Sequence, residues 1–211
     1  MIDHFKEVSE FAKLEIPESH KLPIAIVGAG GIVDGAHLPA YKKAGLEIVG
    51  ITDVDQDRAK DVANRHGIPI VYPDLATLLR DSKAKVIDIA VPPAVQRDVF
   101  IEVAKSGRHI LAQKPLATSV ADGEMIIKAS KDSGIIAGVN QQLRFEEGIA
   151  AAYKMVDLGW VGKVTSISIT VNLATPWEMF PWAKNMEKLE IMVHSIHYHD
   201  VIRWFLGEPI S

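Results

Sequence analysis

The β-branched run Ile24-Ala25-Ile26-Val27 passes directly into Gly28-Ala29-Gly30-Gly31-Ile32-Val33, and this junction limits the possible folds more than any other part of the chain. Four apolar residues bounded by turn formers read as a buried strand. The glycines permit a tight turn and let backbone N–H groups approach an anion at the start of the next helix. A helical segment reaches about Ala44, with Pro39 bending or ending it early. A second strand over 47–52 then ends on Asp53. Strand, glycine turn, helix, strand and acid in this order predict a dinucleotide site, with the pyrophosphate on Gly28, Gly30, Gly31 and Ile32 and a ribose hydroxyl on Asp53. A carboxylate there repels a 2′-phosphate, so NAD is expected ahead of NADP. No Arg follows immediately, and Arg58 lies a turn into the next helix. Val33 stands where the motif usually carries a small residue, which predicts a slightly displaced helix. The bland alternative is a glycine turn in some other α/β domain.

The alternation continues. Residues 55–66 read as a helix leading to Pro69-Ile-Val-Tyr72, and Asp74 caps a helix over 75–80. Residues 85–91 form an apolar run broken by Pro92 and Pro93, with Pro93 suited to the first turn of a helix over 95–106. Strands over 109–112 and 135–139 flank a helix that Ser119 caps and Gly134 stops. Strands alternating with helices imply a mostly parallel sheet covered on both faces, with ligands at the carboxyl ends of its strands. Asp53, Pro92, Gln113, Lys114, Pro115 and Asn140 all follow strand ends, so they are expected along one rim.

Composition removes several functions. The net charge of −4 on 211 residues, with Lys and Arg scattered, gives no footprint for nucleic acid or an anionic membrane. The absence of cysteine excludes disulfides, thiolate metal sites and a cysteine nucleophile. No apolar run is long enough to span a bilayer. The charged N-terminal residues are not a secretory signal, and the cytoplasm is the expected location. Residues 1–21 read as a separate extension with a short amphipathic helix ending before Pro17.

Beyond about residue 145 the pattern changes. A helix over 145–158 precedes Gly159, and residues 163–172 alternate in the manner of one longer antiparallel strand. An aromatic loop over 175–182 holds Trp177 and Trp182, which either line a pocket or belong to the core. Residues 189–206 read as a helix stopped by Gly207 and Pro209. One strand makes no sheet, so the second domain is expected to be truncated, to pair with another chain, or to pack differently.

Taken together, these residues resemble the glucose–fructose oxidoreductase / inositol dehydrogenase / MocA family. The matching pieces are the glycine turn with Asp53, Val91-Pro92-Pro93, Gln113-Lys114-Pro115-Leu116-Ala117, Arg144-Phe145, and the segment from His197 through Asp200 and Trp204 to Gly207. The resemblance covers about residues 22–211. It implies an α/β chain: a Rossmann NAD(P)-binding domain over 22–144, followed over 145–211 by the start of an open-sheet substrate and dimerisation domain. It implies NAD(P)-dependent oxidation or reduction of a sugar, polyol or related carbohydrate, and a homo-oligomer is expected. It implies that Pro92, Gln96, Gln113, Lys114 and Pro115 join the glycine turn around the cofactor. Lys114 and His197 would be catalytic, with Gln142, Arg144, Asp200 and Trp182 toward substrate. The chain departs from the family at Gln113 (Glu), Val193 (Asp), Gln96 (His) and Gln142 (Asn). These changes leave open a nucleotide-binding member with weak or no catalysis, or a fragment acting as a structural module.

Hydride transfer from an alcohol needs a base for the hydroxyl proton, which suits His197, and Lys114 can stabilise the developing alkoxide. The alternatives are a solvated loop lysine and a satisfied helix histidine. Asp200 either orients His197 or pairs with Arg203 one turn along. His194, His197, His199 and Asp200 repeat no zinc spacing, and no metal is expected.

Overall fold

The computed structural model describes residues 2–13, 15–175, 182–183 and 186–209. In chain order they form α1 (Ile2–Ala12), β1 (Ile24–Val27), α2 (Leu38–Lys43), β2 (Ile48–Thr52), α3 (Gln56–His66), α4 (Leu75–Asp81), β3 (Val86–Ile89), α5 (Pro93–Lys105), β4 (His109–Gln113), α6 (Val120–Ser133), β5 (Ala137–Asn140), α7 (Glu147–Asp157) and α8 (Ile196–Leu206). They fall into two units. One is Ile16–Asn140, and the other joins Met1–Glu15 to Gln141–Ser211.

The first unit is built on a sheet of order β2-β1-β3-β4-β5, parallel at every pairing. A bridge from Ile51 to Val71 adds a rudimentary strand outside β2. Counting that strand, the order is the doubly wound 3-2-1-4-5-6, which reverses direction beside β1. Side chains alternate across the sheet. Ile24 and Ile26 of β1 pack with Val33, Ile51 and Val62 on one face. Ala25 and Val27 pack with Ile87, Phe100 and Ile126 on the other. Full burial of Phe100, Ile26 and Ile87 contributes roughly 1.5–3 kcal/mol for each side chain.

The helices begin where short polar side chains accept orphan backbone N–H groups. Asp55 accepts from Arg58 N–H at 3.0 Å, Asp74 from Thr77 N–H at 2.7 Å and Ser119 from Asp122 N–H at 3.1 Å. Gly67 and Gly134 close α3 and α6 in the left-handed region, at φ 70° and 63°. A π turn, Val33–His37, runs into α2. Val33 itself is fully buried against the sheet.

In the second unit α1 lies against the C-terminal segment instead of forming a separate extension. Phe5 meets Trp160 edge-on at 5.1 Å, Phe11 stacks with Tyr153 at 6.1 Å, and Lys154 pairs with Glu7 at 2.9 Å. Residues 1–15 therefore separate from 16–21, against the expected 1–21 extension, because the apolar partners of α1 lie beyond residue 141. The strand expected over 163–172 does not form either. No neighbouring strand is present among the described residues to complete its backbone ladder. Ile167 and Ile169 line an apolar cleft of about 420 Å3 with Leu143, Ile149, Tyr198 and Phe205. The helix expected over 189–206 begins as a π turn, Glu190–Ser195, ahead of α8. Among the described residues no helix is long and apolar enough to cross a membrane.

Candidate functional site

Parallel pairing sends the carboxyl ends of all five strands to one edge of the sheet unit. Gly28 follows β1 there with φ 108°, and a Cβ on it would lie 2.2 Å from the carbonyl oxygen of Ala90. Only glycine fits this crossing of the turns after β1 and β3. At Gly30 and Gly31 a Cβ would have nothing within 4 Å, so the backbone of the turn borders open space. Asp53, at the end of β2, reaches back to the turn. Its Oδ2 accepts the Ala29 N–H at 2.6 Å, and its Oδ1 accepts from Asp55 N–H and from the Arg58 guanidinium, both at 2.8 Å. Arg58, set apart by its spacing, thus returns to the carboxylate. An open glycine cradle edged by an acid fits the phosphates and ribose of a dinucleotide.

Pro92 precedes α5 and Pro93 occupies its first turn, as the sequence predicts. Gln113 ends β4, and Lys114 follows with a cis peptide bond to Pro115. Burial holds the Lys114 ammonium below the usual lysine pKa. Gln96, assigned to the cofactor, is 1% exposed. Its amide nitrogen sits 2.8 Å from the carbonyls of Gln113 and Pro115 and 3.0 Å from that of Leu116. Its side chain is therefore spent on bracing the loop that carries Lys114.

Sequence reasoning missed a polar chain beneath this rim. Asp88, 0% exposed in β3, lies 2.7 Å from His37 Nδ1 and accepts the Tyr41 hydroxyl at 2.9 Å. His37 Nε2 is 3.3 Å from the amide nitrogens of both Gln113 and Asn140. Burial, then the Asp88 charge, push the Tyr41 hydroxyl pKa well above its ordinary value. The available signals were one acid in an apolar strand and a His and Tyr four residues apart after the glycine turn.

The remaining candidates belong to the second unit. His197 is buried in the first turn of α8, with Nε2 3.4 Å from the Gln142 amide nitrogen. Asp200 takes Arg144 as its ion-pair partner in place of Arg203. Its two oxygens accept from Arg144 at 2.5 and 2.6 Å, because the 3-10 turn Gln142–Phe145 sets that guanidinium opposite α8. Asp200 in turn raises the Arg144 pKa, and Arg144 lies 5.7 Å from the Trp204 ring. Arg203 pairs with Glu208 instead. Trp182 is exposed, and Trp177 lies outside the described residues. His194 is held between Thr175 and Glu190, each at 3.2 Å. Among the described residues no three His, Asp or Glu side chains gather as a metal site.

The fold and its glycine-lined edge define a doubly wound, dinucleotide-binding class of protein. Within that class, residues 22–141 match the GFO/IDH/MocA oxidoreductase family, NAD-binding Rossmann fold, and the chain belongs to it. It is 28% identical over 195 residues to the scyllo-inositol 2-dehydrogenase (NAD(+)) of Bacillus subtilis, covering 91% of this chain and 56% of that one. It is 26% identical over 188 residues to the D-apiose dehydrogenase of Paraburkholderia graminis, covering 87% and 49%. Among solved structures, the WlbA dehydrogenase of Bordetella pertussis in complex with NADH and UDP-GlcNAcA superposes with a TM-score of 0.76 at 26% identity, covering 89% of this chain and 56% of that one. The chain thus spans about half the length of the curated relatives it matches.

Proposed function

We propose that this chain is the cofactor-binding part of an NAD-dependent dehydrogenase acting on a CH–OH group of a sugar or polyol. The observation that carries the reading is the glycine turn, which packs tightly at Gly28, borders open space at Gly30 and Gly31, and is tied to Asp53 through the Ala29 N–H. Gly28, Gly30, Gly31 and Ile32 hold the pyrophosphate through backbone N–H groups, and Asp53 takes the ribose hydroxyls. When bound, NAD supplies the hydride acceptor. Lys114, whose proton is held less tightly because of burial, hydrogen-bonds the substrate oxygen and stabilises charge developing on it. His197 takes the hydroxyl proton. Pro92 and Pro115 shape the rim, and Gln96 keeps the Lys114 loop in place. The names of the inositol and apiose dehydrogenases support a polyol or sugar substrate. A homo-oligomer in the cytoplasm completes the reading, to be checked by sedimentation and by cell fractionation.

The first test is a fluorescence titration of the chain with NADH and with NADPH. Saturable NADH binding with weaker NADPH binding is expected. Failure to bind either would overturn the reading. A screen of sugars and polyols follows, and full turnover by a Lys114→Ala, His197→Ala double variant would remove both residues from the mechanism.

A further inference from the structure

The protons of the buried chain under the rim can be assigned from one fixed point. The backbone N–H of Lys114 can only donate, and it donates to Gln113 Oε1 at 2.8 Å. That oxygen is therefore the amide carbonyl, and Gln113 turns its NH2 toward His37 Nε2, 3.3 Å away. Facing a donor, Nε2 accepts. The Asn140 amide nitrogen, also at 3.3 Å, shares the same lone pair. The ring proton then sits on Nδ1 and is donated to Asp88 Oδ2 at 2.7 Å, where Tyr41 also donates. Every direction from Lys114 through Gln113 and His37 to Asp88 follows from the first.

We propose that Gln113 holds His37 as a neutral Nδ1–H imidazole, and that His37 and Asp88 act as positioning residues for the Gln113–Lys114 peptide. The proposal rests on the assignment of Lys114 to the reacting rim. It also gives position 113 a need for glutamine in place of glutamate. A glutamate would spend one oxygen on the Lys114 N–H and aim the other at the lone pair of Nε2. Two acceptors cannot bond, so the contact forms only with one added proton, which on Nε2 makes His37 an imidazolium between two carboxylates. The added negative charge and the added proton cancel. The groups that face His37 are Asp88 from β3, Tyr41 from α2, Gln113 ending β4 and Asn140 ending β5. On its own π turn, Asp34 is engaged with Arg65 and His66 of α3.

The experiment follows the ring nitrogens of His37 by 15N NMR in the full 211-residue chain, wild type and Gln113→Glu, from about pH 6 to about pH 9. NADH titrations accompany it on the same samples. The wild type should show a protonated Nδ1 and a bare Nε2 throughout, with NADH affinity changing less than about twofold. Gln113→Glu should show both nitrogens protonated at the acid end, then lose one proton on raising the pH, its NADH affinity falling about tenfold over the same interval. A proton on Nε2 in the wild type would overturn the proposal, and that measurement needs no variant to fold. A neutral His37 throughout in Gln113→Glu, or NADH affinity there that ignores the protonation of His37, would overturn it too. A wild type with the expected tautomer that binds no NADH would instead strike the cofactor reading, and the positioning role with it.

Discussion

Asp53 is already partly compensated before any ligand arrives, with two backbone N–H groups and the Arg58 guanidinium donating to it. Removing its charge leaves Arg58 at the ribose end of the turn with the longer 3.8 Å pair to Asp55 as its remaining ion pair. Asp53→Ala is therefore expected to raise the NADPH-to-NADH affinity ratio by about tenfold, read by paired fluorescence titrations. Lys114 allows a second prediction, this time with pH. Folding lowers its pKa through burial. The charged form thus destabilises the fold at every pH below the folded value. That penalty fades as pH rises from the folded value to the ordinary lysine value of about 10.4. The stability of wild type relative to Lys114→Met should therefore rise from neutral to alkaline solution, as measured by urea midpoints at the two pH values. The same variant should lose about 100-fold in turnover.

Among elements, α6 gives the cleanest test. The Ser119 hydroxyl accepts the Asp122 N–H and donates to its carboxylate, and Asp122 also takes Arg97 of α5. Ser119→Ala should cost about 1 kcal/mol of stability in denaturant unfolding, with NADH affinity unchanged. Caps of this kind were legible in the sequence because they depend on residues three apart. So was the glycine turn, because strand, turn and helix are contiguous. The alternating segment 163–172 misled for the opposite reason. Its period describes side chains, whereas a strand exists only when a second backbone completes its hydrogen bonds. The contacts of His37 with Asp88 and of Arg144 with Asp200 join residues more than fifty positions apart, and no local pattern announces them. Gln96 turns its amide nitrogen to the carbonyls of Gln113, Pro115 and Leu116, contacts that nothing in its spacing reveals.

At the scale of the whole molecule, the candidate cofactor residues and their supporting core lie within a single unit. Ile16–Asn140 contains the complete sheet and both apolar layers flanking it. Expressed alone, this segment should fold cooperatively and bind NADH within about threefold of the full chain, while losing turnover, since His197 belongs to the other unit. Circular dichroism melts and the same fluorescence titration would test this. A segment that stays unfolded would show that Met1–Glu15 and Gln141–Ser211 complete its core. The helical unit was harder to read from sequence because α1 finds its aromatic partners near the opposite end of the chain.

The π turn at Val33–His37 makes the number of residues between the glycine turn and Pro39 a quantity under constraint. A helix needs one residue fewer to close its regular ladder there. The π turn already takes up one extra residue, so inserting another between Gly31 and Val33 would shift the phase of everything upstream relative to the buried face by about 100°. Either His37 would swing away from Asp88 or the glycine turn would rotate away from Asp53. Loop grafts and chimeras between members of this family must therefore match this segment in length before they match it in composition.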